Sequence, residues 1–321
     1  MNALPRISIV TPSYNQGQFI EQTILSVLNQ NYPNLEYIVI DGGSTDDTVS
    51  ILKKYSDKLT YWVSEKDSGQ SHAINKGIKY CTGDVFNWLN SDDFLQPGAL
   101  HHIGLEYSKQ PYTALCCRVS VLDNRDFHHV RKPSYLGSNP EDSVARFNIN
   151  QEGTWWALDA VKLAGGVNES LHYCMDLNLW FQLLLSHPFE TFRTSDVIVS
   201  NFRRHEAAKS TMESKTTFID SAFVLDELQL FNALLPENTK WDYFKLLGVS
   251  RPDQEVAKIT YPASKNIRKA ITDKRLMHLL TNFFHQGEYV LAKKVSAQLS
   301  VLSPHVNRKD LLYVKRRLIF V

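Results

Sequence analysis

The sequence predicts an α/β protein: a sheet flanked by helices, followed by a helical C-terminal region. Three observations predict it. Short apolar runs alternate with amphipathic ones over the first hundred residues, the pattern of parallel βαβ units. Each apolar run ends in a polar loop, and ligands of such sheets bind at the carboxyl ends of the strands. From about residue 215 only helical periodicity remains, and the charge changes sign. Residues 240–321 hold 16 Lys and Arg against 6 Asp and Glu, a balance of +10, while the rest holds 19 against 28, a balance of −9.

The elements follow in order. Ile7 to Thr11 is a buried strand running into Pro12-Ser13-Tyr14-Asn15. Phe19, Ile20, Ile24, Val27 and Leu28 recur at helical spacing. Leu35 to Ile40 is a second strand, ended by Asp41-Gly42-Gly43-Ser44-Thr45-Asp46. Thr48 to Tyr55 is helical, Leu59 to Ser64 a third strand, Ser71 to Tyr80 helical, and Val85 to Leu89 a fourth strand closing on Asn90-Ser91-Asp92-Asp93. Pro97 suits a helix start. Later, Ala114 to Leu122 and Val197 to Phe202 are strand-like, and Leu177, Trp180, Phe181 and Leu184 support a helix over 176–185. Leu291, Val295, Leu299 and Leu302 form one amphipathic stripe. The polar loops at 11–15, 41–46, 65–70 and 90–93 should meet in one crevice.

Bulk properties bound the rest. A chain of 321 residues, 43% of them hydrophobic, can bury one substantial core and a second, smaller one. No run approaches the ~18 apolar residues of a membrane span, and the first residues lack the pattern of a secretory signal. Cys81, Cys116, Cys117 and Cys174 form no CxxC pair, which points to buried free thiols in a reducing cytoplasm. A net charge of +1 gives no reason to expect a nucleic-acid partner. There is no GxGxxG after a strand, no GxxxxGK[ST] and no G-x-S-x-G, which disfavours dinucleotide enzymes, P-loop enzymes and serine hydrolases.

The adjacent carboxylates Asp92 and Asp93, at a strand end, can hold a hard divalent cation such as Mn²⁺ or Mg²⁺, and they also suit capping of the next helix. Beyond this, Ile7 to Asn15 (ISIVTPSYN), Tyr37 to Thr48 (YIVIDGGSTDDT), Ser64 to Gly77 (SEKDSGQSHAINKG) and Thr82 to Asp93 (TGDVFNWLNSDD) resemble glycosyltransferase family 2. Four motifs fall in order across about 90 residues, and the resemblance continues more weakly to about Lys209. It implies a GT-A fold, a Rossmann-like mixed sheet, with a catalytic domain over 1–215 and a basic helical region over 216–321. It also implies a nucleotide-sugar donor and an inverting displacement onto an acceptor hydroxyl.

The resemblance assigns residues one at a time. Thr11, Pro12 and Tyr14 contact the nucleotide, with Tyr14 against the base. Asp41 hydrogen-bonds the base through the imide N–H of uracil or thymine, or else closes an Asx turn. Asp67 and Gln70 lie beside base and ribose. Asn75 and Lys76 follow on a helix, with Asn75 also suited to a structural role. Ser91 and Asp92 lie at the diphosphate, and Asp92, Asp93 and His205 hold the metal. Asp176, opening an apolar helix, is the general base that takes the acceptor's proton, or a helix cap. Lys209 pairs with phosphate in a late loop. Gly42 departs from the usual second Asp, Asn90 from the first acid of the Asp-x-Asp triplet, His72 from an Asp, and Met175 from a Glu.

Two other readings compete: a nucleotidyltransferase, whose Gly-rich basic first loop is missing here, and a sugar-nucleotide-binding scaffold, which would need no base. The acceptor expected by family analogy is a surface-polysaccharide or lipid-linked glycan. The basic tail suggests peripheral contact with an anionic membrane on its cytoplasmic face. Lys265, Arg268, Lys269, Lys274 and Arg275 would supply the charge, interleaved with Ile267, Ile271, Leu276, Leu279, Leu280, Phe283 and Phe284. The same stripe could instead pack as a helical cap.

Overall fold

The computed structural model describes residues 4–123, 126–205, 208, 222–251 and 259–319. They fall into two compact units, one of 1–134, 148–183 and 187–214, the other of 135–147, 184–186 and 215–321.

The first unit begins with the expected alternation. Strand β1 (Ile7–Ser13) is followed by α1 (Ile20–Leu28), β2 (Leu35–Asp41), α2 (Thr48–Lys54), β3 (Tyr61–Ser64), α3 (Gln70–Ile78) and β4 (Val85–Trp88). Then come β5 (Phe94–Leu95), α4 (Ala99–Lys109), β6 (Ala114–Asp123), β7 (Asp126–Arg131), β8 (Thr154–Ala157), α6 (Leu158–Leu163), α7 (Met175–Ser186) and β9 (Phe192–Arg204), with α5 (Pro140–Ala145) lying in the second unit. All seven residues of β1 are buried, as a strand covered on both faces requires. Ile7 and Ile9 pack with Ile20, Ile24 and Val27 of α1 and with Tyr37 and Val39 of β2.

The strands run β3-β2-β1-β4-β8-β6-β9-β5, with β7 paired to β6. The first four are mutually parallel; β8 then enters antiparallel between β4 and β6, which makes the sheet mixed. Ser13 stands opposite Asp41, and Asp41 opposite Ser64, so three strands end level with one another. That register delivers the loops after β1, β2 and β3 to one edge. The strand anticipated at 197–202 begins earlier, at Phe192, because the whole segment pairs in parallel with β6. Pro97 precedes α4 by two residues, and the helix opens after Gly98 in the left-handed conformation.

The second unit is helical: α5, then α8 (Ala222–Ala233), α9 (Tyr243–Leu247), α10 (Lys265–His285), α11 (Tyr289–Gln298) and α12 (Arg308–Leu318). Side-chain caps start several of them. Asn139 accepts from Asp142 N–H at 2.8 Å, Asp242 from Lys245 N–H at 2.9 Å and Asn307 from Lys309 N–H at 3.0 Å. The stripe expected through Leu302 breaks, since α11 ends at Gln298 and Leu302 is exposed.

Helix α10 carries the cluster expected to face a membrane, and much of it is packed. Ile271, Leu276, Leu279, Leu280 and Phe283 are buried, and the cations among them are used inside the unit. Arg268 donates to the carbonyls of Ala233, Tyr261 and Ala263. Lys269 pairs with Asp273, and Lys274 donates to Asn139 Oδ1 at 2.9 Å. Arg275, only 7% exposed, pairs with Glu227 and stacks on Phe147 and Phe231. Arg268, Lys274 and Arg275 thus serve the packing of the unit, whereas Lys265 and Lys269 are exposed. Among the described residues no helix is long and apolar enough to cross a membrane. All four cysteines are buried and none forms a disulfide with another, and burial pushes Cys81 and Cys116 up to about 12.

Candidate active site

The loops after β1 and β2 are laced together. Asn15 N–H donates to Ser44 Oγ at 2.7 Å, and Thr45 N–H returns to Asn15 Oδ1 at 2.9 Å. Gln16 N–H reaches Thr48 Oγ1 at 3.0 Å, and Gly17 N–H reaches Asp46 Oδ2 at 2.8 Å. This leaves Tyr14 held by its neighbours yet 61% exposed, a ring available for stacking. Thr11 and Pro12 do not share that availability. Thr11 is fully buried with its hydroxyl 3.1 Å from Tyr37 Oη, and Pro12 is buried beside it, so neither side chain can touch a ligand as it stands.

Asp41 is likewise consumed by the fold. Its Oδ2 accepts from Gly43 N–H (3.2 Å), Ser44 N–H (2.9 Å) and Ser64 Oγ (2.6 Å), and its Oδ1 accepts from Ser44 Oγ at 2.5 Å. These bonds close the Asx turn at Asp41. Asp67 is half-buried, and its Oδ1 accepts from Gly69 N–H at 2.8 Å.

Helix α3 connects the loops to the segment carrying Asp176. At its start, Gln70 Nε2 donates to Asn90 Oδ1 at 2.8 Å, joining the β3 and β4 loops. Farther along, Asn75 Nδ2 donates to Val167 O and Glu169 Oε1, both at 2.8 Å, while its Oδ1 accepts from Val167 N–H at 2.9 Å. Asn75 thus clamps the 166–169 turn, and Lys76 is paired with Glu65. From that turn the chain enters α7, where Asp176 occupies the first turn and its Oδ1 accepts from Leu177 N–H at 2.7 Å.

The β4 loop separates its two carboxylates by burial. Ser91 is 5% exposed, and Thr23 Oγ1 donates to its carbonyl at 2.9 Å and to that of Asp93 at 2.6 Å. Asp93 is 1% exposed, with Oδ1 accepting from Arg203 N–H at 3.0 Å and Asn90 Nδ2 3.4 Å from Oδ2. Burial, with the charges of Asp92 and Glu152 nearby, pushes its carboxyl well above the ordinary range. Asp93, expected as a second metal ligand, ties the loop onto β9 through its Oδ1. Asp92 stays partly exposed, and its Oδ2 lies 3.0 Å from Nε2 of His205, whose ring packs at 4.6 Å against Phe19.

Among the described residues no three His, Cys, Asp or Glu side chains form a complete metal cage. The pair Asp92 and His205 still fits a hard divalent ion, because such ions take few protein ligands and complete their shell with phosphate and water. Lys209 lies outside the described residues. Buried Glu152, 3.4 Å from Arg131, joins the same electrostatic group. Nothing in its sequence surroundings marked it, since a lone Glu before a four-residue strand carries no periodicity.

Polar loops at the ends of parallel strands, a carboxylate–imidazole pair and a carboxylate opening a following helix are the arrangement expected of a sugar-nucleotide transferase. Residues 8–169 match the family described as Glycosyl transferase family 2, and the chain belongs to that family of glycosyltransferases. It is 28% identical over 287 residues to an uncharacterised glycosyltransferase of Rickettsia typhi, covering 85% of this chain and 86% of that one. It is 29% identical over 198 residues to the chondroitin synthase of Escherichia coli, covering 59% of this chain but 28% of that one. Among solved structures, S. aureus TarS 1–349 in complex with UDP-GlcNAc superposes with a TM-score of 0.63 at 15% identity, covering 98% of this chain and 88% of that chain. The mannosyltransferase PcManGT from Pyrobaculum calidifontis, in complex with GDP-Man and Mn²⁺, gives 0.55 at 16% identity, covering 100% and 82%. These likenesses establish the GT-A fold.

Proposed function

We propose that this glycosyltransferase moves a sugar, with inversion, from a uridine or thymidine diphosphate donor to a hydroxyl of a surface-polysaccharide or lipid-linked glycan. Asp92 and His205 hold a divalent ion, Mn²⁺ or Mg²⁺, and Asp176 is the general base. The observation that carries the reading is the Asp92–His205 pair, 3.0 Å apart at the carboxyl end of the sheet beside the loops bearing Tyr14 and Asp67. Support for the donor comes from TarS, solved with UDP-GlcNAc, and support for the ion from PcManGT, solved with Mn²⁺. Chondroitin synthase supports a glycan acceptor.

When bound, the ion offsets charge growing on the departing diphosphate. Tyr14 offers its ring to the base. Asp176 accepts the acceptor's hydroxyl proton as that oxygen attacks the anomeric carbon, and the carbon–oxygen bond to the diphosphate breaks on the opposite face. Asp93 and Arg203 hold the β4 loop against β9 so that Asp92 keeps its place. Replacing Asp92 with Asn should cut turnover roughly a hundredfold, since a ligand charge worth several kcal/mol is lost. It should also abolish binding of Mn²⁺ in the presence of UDP, followed by electron paramagnetic resonance. Undiminished diphosphate release in excess chelator would sink the metal-dependent reading.

The cytoplasmic membrane face remains the proposed location, with α12 in place of α10 as the contact. Its Leu311, Val314 and Leu318 are buried, whereas Lys309, Tyr313, Arg316 and Arg317 share the other face and Ile319 is 75% exposed. A basic and aromatic face suits anionic lipid, at about 1 kcal/mol per cation. The protein should co-sediment with phosphatidylserine vesicles at low salt, release above a few tenths molar salt, and bind less as Arg316→Gln/Arg317→Gln. Protein left in the supernatant at low salt would rule the contact out.

A further inference from the structure

Asp92 and His205 come from segments distant in sequence, the β4 loop and the residue after β9, and both segments touch the start of α1. We propose that this one turn of helix sets the separation of the two ion ligands: Phe19 positions the His205 imidazole, and Thr23 positions the loop that carries Asp92. The inference rests on the ion reading above. Phe19 and Thr23 act through the ligands, as positioning residues.

On the His205 side the anchor is one aromatic ring. Phe19 lies 4.6 Å from the imidazole, centroid to centroid, with 43° between the planes. The same ring lies 4.7 Å from the Arg203 guanidinium, which donates to Gln22 Oε1 at 2.6 Å one turn along α1. The His205 side chain is only 8% exposed, so the imidazole is wedged in place. On the Asp92 side the anchor is a hydroxyl. Thr23 Oγ1 lies 2.9 Å from Ser91 O and 2.6 Å from Asp93 O, and so grips the backbone on both sides of Asp92. A hydroxyl has one proton to donate, which these two carbonyls share. Phe19 and Thr23 are four residues apart, on one face of the helix. Thr23 N–H donates to Phe19 O at 3.3 Å, which makes the two anchors parts of one rigid piece.

The separation that results suits the ion. Neighbouring ligand atoms of an octahedral ion bonded at about 2.1 Å stand about 3.0 Å apart. Asp92 Oδ2 and His205 Nε2 are 3.0 Å apart. Their own hydrogen bond cannot maintain that distance once both atoms give a lone pair to a metal. The contacts behind them must do so, and both of these come from the first turn of α1.

Titration of the full chain with Mn²⁺ in the presence of UDP, followed by electron paramagnetic resonance, tests this on Phe19→Leu, Phe19→Tyr, Thr23→Val and Asp92→Asn. Phe19→Leu keeps apolar bulk without the flat ring, and Thr23→Val keeps the shape without the hydroxyl. Each should weaken Mn²⁺ binding by about 10–100-fold, the usual loss when a group that orients a metal ligand is removed. The melting temperature should stay near wild type, and Phe19→Tyr should bind Mn²⁺ as wild type does. The metal-free protein gives a second readout. The ring current of Phe19 should displace the His205 ring protons in the nuclear magnetic resonance spectrum, and Phe19→Leu should abolish the displacement. Wild-type Mn²⁺ affinity in either Phe19→Leu or Thr23→Val, beside lost binding in Asp92→Asn, overturns this inference alone. So does an unfolded Phe19→Leu, which would make the ring a core residue, a Phe19→Tyr no better than Phe19→Leu, or an undisplaced His205 signal. Undiminished Mn²⁺ binding by Asp92→Asn overturns it together with the ion site.

Discussion

Replacing Asp176 with Asn is expected to lower turnover by roughly 10²–10⁴-fold, the usual contribution of a positioned general base, while donor affinity stays close to wild type. Asparagine keeps the shape and can still accept from Leu177 N–H through its side-chain oxygen, the bond that orients Asp176 at 2.7 Å. It cannot take up a proton from the acceptor. Because the base acts on the acceptor, UDP titration should barely change, whereas single-turnover transfer should slow by the full factor. Normal transfer in Asp176→Asn would remove it from the mechanism, and a loss confined to UDP affinity would move it to the donor side. Asn75→Ala gives a useful contrast. Asn75 holds the turn that feeds α7 through three hydrogen bonds, so its loss should reduce transfer through position and not through proton affinity.

The second large effect is on stability. Glu227→Ala should destabilise the helical unit by about 3–5 kcal/mol, the cost of stranding one member of a buried ion pair. Arg275 and Glu227 have side chains only 9% and 13% exposed. Arg275 is further enclosed by Phe231, 4.6 Å from its guanidinium, and by Phe147 at 5.1 Å. With Glu227 gone, the one hydrogen-bond acceptor left to the guanidinium among the described residues is Ala145 O at 3.4 Å. Removing both charges, as Arg275→Met/Glu227→Leu, should restore most of the loss, because an apolar replacement leaves no buried charge. Urea unfolding of the three proteins checks this. A Glu227→Ala midpoint equal to wild type would show the pair to be hydrated and energetically minor.

The same pair shows where sequence patterning stops. Cations at 265, 268, 269, 274 and 275 interleaved with apolar residues describe two structures equally well: a helix lying on a membrane and a helix inside a bundle. Periodicity registers which residues share a face but not what covers the face. For Arg268, Lys274 and Arg275 the decision rests on Ala233 O, Asn139 and Glu227, partners distant in sequence. The short strand β8 was equally hidden. It is four residues long, and its place between β4 and β6 exists only once those strands are apart.

At the site, by contrast, the legible part was the class. Apolar runs ending in polar loops established a parallel sheet with a ligand edge, because side-chain burial on both faces and a binding site at strand ends are local consequences of βαβ order. The four motifs named the family, and the loops they occupy do adjoin. What the sequence alone could not assign was which polar atoms remain available. Thr11, Asp41, Asn75, Lys76 and Asp93 each bond a neighbour: Tyr37, the Ser44 turn, the 166–169 turn, Glu65 and Arg203 N–H. Tyr14, Asp67 and Asp92 keep a ring, an oxygen or a carboxylate edge accessible. Residue identity and spacing determine which chemistry a loop can offer. Whether a given carboxylate offers it or satisfies a buried N–H depends on donors brought in by other strands, and only the tertiary structure, which pairs most buried polar groups, decides between them.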